Sequence, residues 1–148
     1  MLLGKKRKPG RQIEEITSGE KFKMTEKIED KDLLLYLGLT NDANPLYIQH
    51  DYASQTPYEK PIVPSVLLTG MITSAVTKYL PGAGSHILKQ EIEFIKPVYH
   101  DAVIDFLFEV AEVNERDHTI TIQVQGTERE QTVLMATLLV SPPYPAAL

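Results

Sequence analysis

The chain of 148 residues contains no cysteine. This excludes disulfide bonds, a thiolate nucleophile and cysteine-ligated zinc, and it fits a reducing compartment. No apolar stretch approaches the length that crosses a membrane. The apolar run at the start is too short for a signal peptide, and its charges follow it. We therefore expect a cytoplasmic protein without membrane contact.

Features of phosphate, nucleic-acid and metal sites are also scarce. No glycine-rich phosphate loop is present, and a net charge of -5 gives no general attraction to nucleic acid. The sequence predicts no metal site and no cofactor, because the side chains of the adjacent His50 and Asp51 diverge and lack a third ligand. One short cationic run is a phosphate contact or, more simply, a solvated terminus: Lys5, Lys6, Arg7, Lys8 and Arg11.

What is present suits one globular unit. Hydrophobic residues make up 43% of the chain and charged residues 24%, which is ordinary for a folded domain or for a subunit that completes its core by pairing. We predict a basic flexible tail at residues 1–11, a single domain at 12–141 and a C-terminal tail at 142–148. Pro142, Pro143 and Pro145 cannot join a sheet ladder, and we expect them on the surface.

The first half of the domain predicts strand and then helix. Residues 13–29 have a strand-like pattern with a turn at Gly19. Asp30 is a candidate N-cap of a helix that ends near Gly38. Residues 40–44 form a loop, since Pro45 biases Asn44 away from helix, and 46–54 form a further short helical stretch.

The second half predicts one long helix and an antiparallel meander. A helix from about Pro64 to Leu80 is apolar almost all round, which is typical of a helix enclosed by other structure. Strands follow near 91–94, 103–113, 119–124 and 132–140, with turns at 114–117 and 126–130. A sheet wrapped around one helix is an α+β architecture, and its exposed edge favours dimerisation.

Two segments resemble a known family. They are Asn41-Asp42-Ala43-Asn44-Pro45-Leu46-Tyr47 and Pro61-Ile62-Val63-Pro64-Ser65-Val66-Leu67. Together they are similar to the active-site signature of the (R)-specific enoyl-CoA hydratases and their MaoC-like relatives. The likeness runs from about Ile13 to Val140. It implies a hot-dog fold and binding of an acyl-CoA or acyl-carrier thioester, by a homodimer or with a related subunit.

The resemblance also implies roles for single residues. In the family an Asp and a His hold the water that adds to carbon 3 of an enoyl thioester, and a backbone N–H at the start of the central helix binds the thioester oxygen. Asp42 takes the place of the acid, and Asn44 keeps the supporting turn. Ser65 replaces the Gly that supplies the N–H, and Pro64 replaces the preceding His. Thr73 corresponds to a hydroxyl sometimes used near the site.

Tyr47 departs from the family pattern Asp-x-Asn-Pro-Leu-His. A phenol with a pKa near 10 is a poor base at neutral pH, whereas a His near 6.5 titrates in range. Tyr47 still donates a hydrogen bond. His50 follows three residues later, on the same helix face, and is a candidate source of the missing imidazole; the alternative is a surface His.

Three functions remain open. The first is hydration of an enoyl thioester or the reverse dehydration, with Asp42, Tyr47 and His50 as catalytic residues. The second is a non-catalytic acyl-CoA-binding subunit or sensor, and the third is thioester hydrolysis. Three of the site residues also have a structural alternative: Asp42 capping loop N–H groups, Ser65 simply beginning a helix, and Thr73 bonding the preceding turn.

Overall fold

The structure is a computed structural model, and it describes residues 9–145. The basic residues Lys5, Lys6, Arg7 and Lys8, and the last residues of the predicted C-terminal tail, lie outside this range. In chain order the elements are a 3-10 turn at Ile13–Glu15, β1 (Lys21–Lys27), α1 (Asp30–Thr40), α2 (Pro45–Ile48), α3 (His50–Ala53), α4 (Ser65–Lys78), β2 (His86–Phe94), β3 (Val103–Asn114), β4 (Thr119–Glu128) and β5 (Gln131–Ser141).

The five strands form one antiparallel sheet in the order β1-β3-β4-β5-β2. The last three strands in sequence pair as a meander, while β1 and β2 add to its two sides. Alternation of buried and exposed residues along β3 and β4 directs one face of the sheet inward. The α+β fold predicted from the sequence is therefore confirmed, with β1 and β2 as the edges.

The core lies between this face of the sheet and one stripe of α4. Leu68, Ile72, Ala75 and Val76 of the helix are buried and belong to the same cluster as the inward residues of β3, β4 and β5. Burying each aliphatic side chain contributes roughly 1.5–3 kcal/mol. Another face of α4 is not covered within residues 9–145, since Val66 is 51% exposed.

Helix α1 begins one residue earlier than predicted. Glu29 is its N-cap, and the Glu29 N–H donates to Asp32 Oδ2 at 2.9 Å. The helix also runs past Gly38 to Thr40, where Asn41 adopts the left-handed conformation with φ 56°. Asn tolerates this conformation at a helix end, so Asn41 and not Gly38 ends the helix.

Two local predictions were wrong for reasons of packing. Ile13 and Ile16 are both buried, a spacing of three that fits the observed 3-10 turn better than a strand. Gly126 lies inside β4 rather than in a turn. A Cβ there would lie 2.8 Å from Leu134 Cγ, so this glycine permits close packing. The turn itself consists of Arg129 and Glu130, both with positive φ.

Both ends of the described chain are attached to the domain. Gly10 N–H donates to Ala83 O at 2.7 Å, and Arg11 pairs with Glu20 at 2.5 Å. Contrary to the predicted surface location, Pro142 and Pro143 are buried. The His118 Nε2–H group donates to Pro142 O at 2.8 Å, so the backbone of this segment is held beside the β3–β4 turn.

Candidate functional site

The turn after α1 places Asp42. Asn41 N–H donates to Leu37 O at 2.9 Å, and the left-handed conformation of Asn41 redirects the chain back beside the last turn of the helix. Thr40 reinforces this reversal, because its hydroxyl donates to Tyr36 O at 2.8 Å and accepts from Asp42 N–H at 3.2 Å. Asp42 therefore lies against the helix that precedes it.

Both oxygens of the Asp42 carboxylate accept hydrogen bonds from the chain. The Tyr36 hydroxyl donates to Oδ2, and Asn44 N–H donates to Oδ1 at 3.2 Å. The hydrogen bond to Asp42 is the main cause that raises the pKa of Tyr36 above its usual value of 10.0, with desolvation and the Asp42 charge adding to it. Tyr36 therefore stays protonated, as a donor, at neutral pH.

Asn44 keeps the supporting turn that the sequence predicted. Its side-chain Oδ1 accepts from Leu46 N–H at 3.0 Å, and its own C=O accepts from Tyr47 N–H at 2.9 Å. These bonds make Asn44 the N-cap of α2, with Pro45 at the first helical position, where a missing N–H costs nothing. The segment from Asp42 to Tyr47 is thus fixed locally.

Tyr47 and His50 face a different cavity from the one that Tyr36 lines. Their cavity, of about 610 Å³, is also lined by Lys60, Tyr99 and His100. Within residues 9–145, no hydrogen bond joins Tyr47 or His50 to Asp42. Tyr47 instead packs edge-on against the Tyr36 ring, with centroids 6.3 Å apart.

An apolar groove of about 900 Å³ lies between β1, α1 and α4. Its volume falls in the usual range for small-molecule sites. Leu35 and Leu39 of α1 are 71% and 85% exposed beside it, and Tyr36 lies between them. The main apolar side chains that line this α1–α4 groove are Phe22, Met24, Leu35, Leu39, Leu67 and Met71.

Pro64 and Ser65 begin α4, the far wall of the α1–α4 groove. Val63 N–H donates to Val98 O at 2.7 Å, which fixes the entry to the helix. Pro64 is the buried N-cap, and Ser65 is the first helical residue and exposed. A helix start leaves its first N–H groups without intrahelical partners, so Ser65 N–H is available to a ligand oxygen.

Thr73 lies on another side of α4. Its hydroxyl donates to Thr69 O at 3.0 Å, and the residue lines a separate cavity of about 480 Å³ together with β2. This cavity shares none of its lining residues with the α1–α4 groove. Of the predicted residues, the structure therefore groups Asp42 and Asn44, groups Tyr47 with His50, and separates Thr73 from both.

Sequence reasoning missed Tyr36, which it treated only as part of a helix. The sequence offered only the position of Tyr36 six residues before the acid, and this spacing brings the two side chains together only because Asn41 adopts the left-handed conformation. Nothing in residues 9–145 groups three His, Asp or Glu side chains as a metal would require. No helix among these residues is long and apolar enough to cross a membrane.

Comparisons with known proteins converge on one family. Residues 12–133 match the MaoC like domain. An (R)-specific enoyl-CoA hydratase of Rhodospirillum rubrum is 32% identical over 86 residues, which are 58% of this chain and 60% of that protein. The match thus spans about three fifths of the relative. A 3-hydroxybutyryl-CoA dehydratase of Methylorubrum extorquens is 24% identical over 120 residues, which are 81% of this chain and 76% of that protein.

Solved structures confirm the fold. The unliganded R-hydratase PhaJ1 of Pseudomonas aeruginosa superposes with a TM-score of 0.82 at 23% identity, covering 94% of each chain. At this identity the likeness concerns the fold alone. The architecture is the hot-dog fold that the sequence resemblance implied.

Proposed function

The chain belongs to the MaoC-like domain family, and from that premise we propose that it is a hydratase or dehydratase of acyl thioesters. The position of Asp42 carries this proposal. The Asp42 carboxylate is bonded to Tyr36, and Tyr36 lines the α1–α4 groove. The Asp42 carboxylate is therefore bonded to a side chain that lines an apolar cavity suited to an acyl chain.

The reaction follows from placing the acyl chain in this groove and the thioester oxygen at Ser65 N–H. Asp42 takes a proton from water while the water oxygen bonds to carbon 3, and the double-bond electrons move to carbon 2 and onto the thioester oxygen. The carboxyl group then returns a proton to carbon 2. Base assistance contributes about 10²–10⁴-fold, and a donor to the oxyanion about 2.7–4 kcal/mol.

Tyr47 and His50 do not hold the water in this proposal, because they line a different cavity. Asp42 has no imidazole bonded to it among residues 9–145, so in this proposal the Asp42 carboxylate alone holds the water. Pro64 sets the start of α4 and Asn44 the turn after the acid. The proposed site works in the cytoplasm, as one subunit of a homodimer or with a related subunit, and takes a coenzyme A or carrier-protein thioester.

The hydrogen bonding of Asp42 also favours a second candidate function. Two hydrogen bonds already occupy the Asp42 carboxylate, and the position of the family His is Tyr47. A protein that binds acyl thioesters without hydrating them, as a sensor or as the silent member of a pair, would retain the groove and lose the chemistry.

The test is to mix the purified protein with crotonyl-CoA, to follow the loss of enoyl absorbance and to identify the product. Formation of the 3-hydroxyacyl thioester is the expected result. Release of free coenzyme A would indicate hydrolysis and contradict the proposal. Binding of crotonyl-CoA without turnover would favour the second candidate.

A further inference from the structure

Two tyrosines lie near the acid, and only one of them touches it. Tyr47, which occupies the position of the family His, makes no hydrogen bond to Asp42 within residues 9–145 and lines the cavity of His50 and Lys60. Tyr36 donates to Asp42 Oδ2. The geometry therefore separates the residue expected from the sequence from the residue in contact.

The contact of Tyr36 is part of a closed local network. Thr40 bridges the two residues, because its hydroxyl donates to Tyr36 O and accepts from Asp42 N–H. The Tyr47 ring packs edge-on against the Tyr36 ring and limits its rotation. The phenol is thus held at the carboxylate by its own helix on one side and by α2 on the other.

The bonding capacity of the carboxylate leaves room for a substrate water. An ionised Asp offers about four lone-pair positions. Tyr36 and Asn44 N–H fill two of them, one on each oxygen. A hydrogen bond from a hydroxyl to a charged oxygen is stronger than a neutral one, so the bond fixes the rotation of the carboxylate and the direction of its free lone pairs.

We propose that Tyr36 is the positioning residue of Asp42, holding Oδ2 so that the free lone pairs of the carboxylate face a water at the α1–α4 groove. The role of Asp42 in this inference rests on the proposed function. The choice of Tyr36 over Tyr47 as the residue that holds Asp42 rests on the contacts alone. Tyr36 lines the groove, so the side chain that bonds the acid also forms part of the cavity proposed for the acyl chain.

The kinetic test compares Tyr36→Phe with Tyr47→Phe. The Tyr36 variant keeps the aromatic ring in the groove and loses only the hydroxyl. We expect kcat to fall by roughly 10²-fold, the cost of a small misplacement, with little change in KM because the ring keeps its place in the groove. Tyr52→Phe, on an exposed part of α3, is the control for loss of a phenol. A larger loss of kcat in Tyr47→Phe than in Tyr36→Phe would overturn the inference while leaving the proposed function intact.

A second measurement is independent of turnover. The difference in phenolate absorbance between wild type and Tyr36→Phe during alkaline titration isolates the Tyr36 phenol. The Asp42 bond and charge keep the pKa of Tyr36 above its usual value; the other titratable groups that line the groove are Lys23, Glu26, Asp32, Lys78 and Tyr79.

The expected result is that Asp42→Asn lowers the pH at which Tyr36 ionises, since it removes the charged acceptor. An unchanged titration in Asp42→Asn would overturn the inference. Where wild type shows no hydration but Tyr36 responds to Asp42→Asn, the proposed function fails and the contact between the two residues stands.

Discussion

Helices α1 and α4 are both rich in apolar residues, but they use them differently. Four side chains of α4 are buried against the sheet, whereas α1 has no buried residue, and its Leu34, Leu35 and Leu39 are 67%, 71% and 85% exposed. Apolar surface that the chain itself leaves uncovered is typical of a site for a ligand or a partner. In this fold α4 contributes the buried packing and one wall of the groove, and α1 contributes the exposed wall.

The sharpest test of this division is Asp42→Asn, which we expect to abolish hydration. The amide keeps the size of the side chain but cannot accept a proton, so the loss is about 10²–10⁴-fold, the usual contribution of a base. The rate of crotonyl-CoA hydration measures it. Asp51→Asn, which changes an exposed acid on α3, is the matched control. Equal rates in the two variants would remove Asp42 from the mechanism.

The converse test removes core packing from α4. Ile72 is fully buried, and Ile72→Ala should lower the free energy of unfolding by about 2–5 kcal/mol because it leaves a cavity. Leu39→Ala, on the exposed face of α1, should change the free energy of unfolding by less than about 0.5 kcal/mol and should raise KM for acyl thioesters. Urea unfolding of both variants measures the contrast, and similar destabilisation would contradict it.

A substitution at position 47, in α2, tests whether this segment has lost a catalytic group. Tyr47→His places an imidazole at the position where the resemblance to the family implies one, and we expect it to raise the hydration rate, by up to about 10²-fold, the lower range for a positioned base. Steady-state kinetics near neutral pH measure the change. The comparison variant is Tyr47→Phe, which removes the hydroxyl without adding a base; a rate in Tyr47→His no higher than in wild type would speak against the mapping.

The smallest effect concerns stability in alkali. The pKa of Tyr36 is raised in the folded state, chiefly by its bond to Asp42, while an unfolded tyrosine ionises near pH 10. The unfolded chain therefore loses this proton first, and the contribution of Tyr36 to stability is complete below about pH 10 and declines above it. Unfolding at about pH 9 and about pH 11 should show a steeper decline for wild type than for Tyr36→Phe.

Local patterns predicted much of the fold. A long apolar-rich run predicted β3 and clean alternation predicted β4, and the apolar helix α4 began and ended within two residues of its predicted bounds. The errors arose where a distant contact decides the structure. Gly126 permits contact with Leu134, and Pro142 is held by His118; neither contact is visible in a window of neighbouring residues.

The site shows the same limit more clearly. A motif identified Asp42 and Asn44, and the structure places them in one hydrogen-bonded turn. It did not identify Tyr36, because the approach of the phenol to the acid depends on the left-handed conformation of Asn41, a feature of the backbone rather than of residue spacing. Nor did it separate Thr73, whose direction depends on the rotation of α4 against β2.

The absence of buried residues on α1 also affects how this helix can move. Local opening is cheapest where few apolar contacts are lost, and α1 has no buried side chain to expose. Tyr36 and Asp42 are only six residues apart in the chain. Their hydrogen bond therefore moves together with the helix and does not depend on a distant partner. We therefore expect α1 to move outward as a unit and admit a bulky thioester, while the five-stranded sheet and the helix α4 packed on it keep their positions.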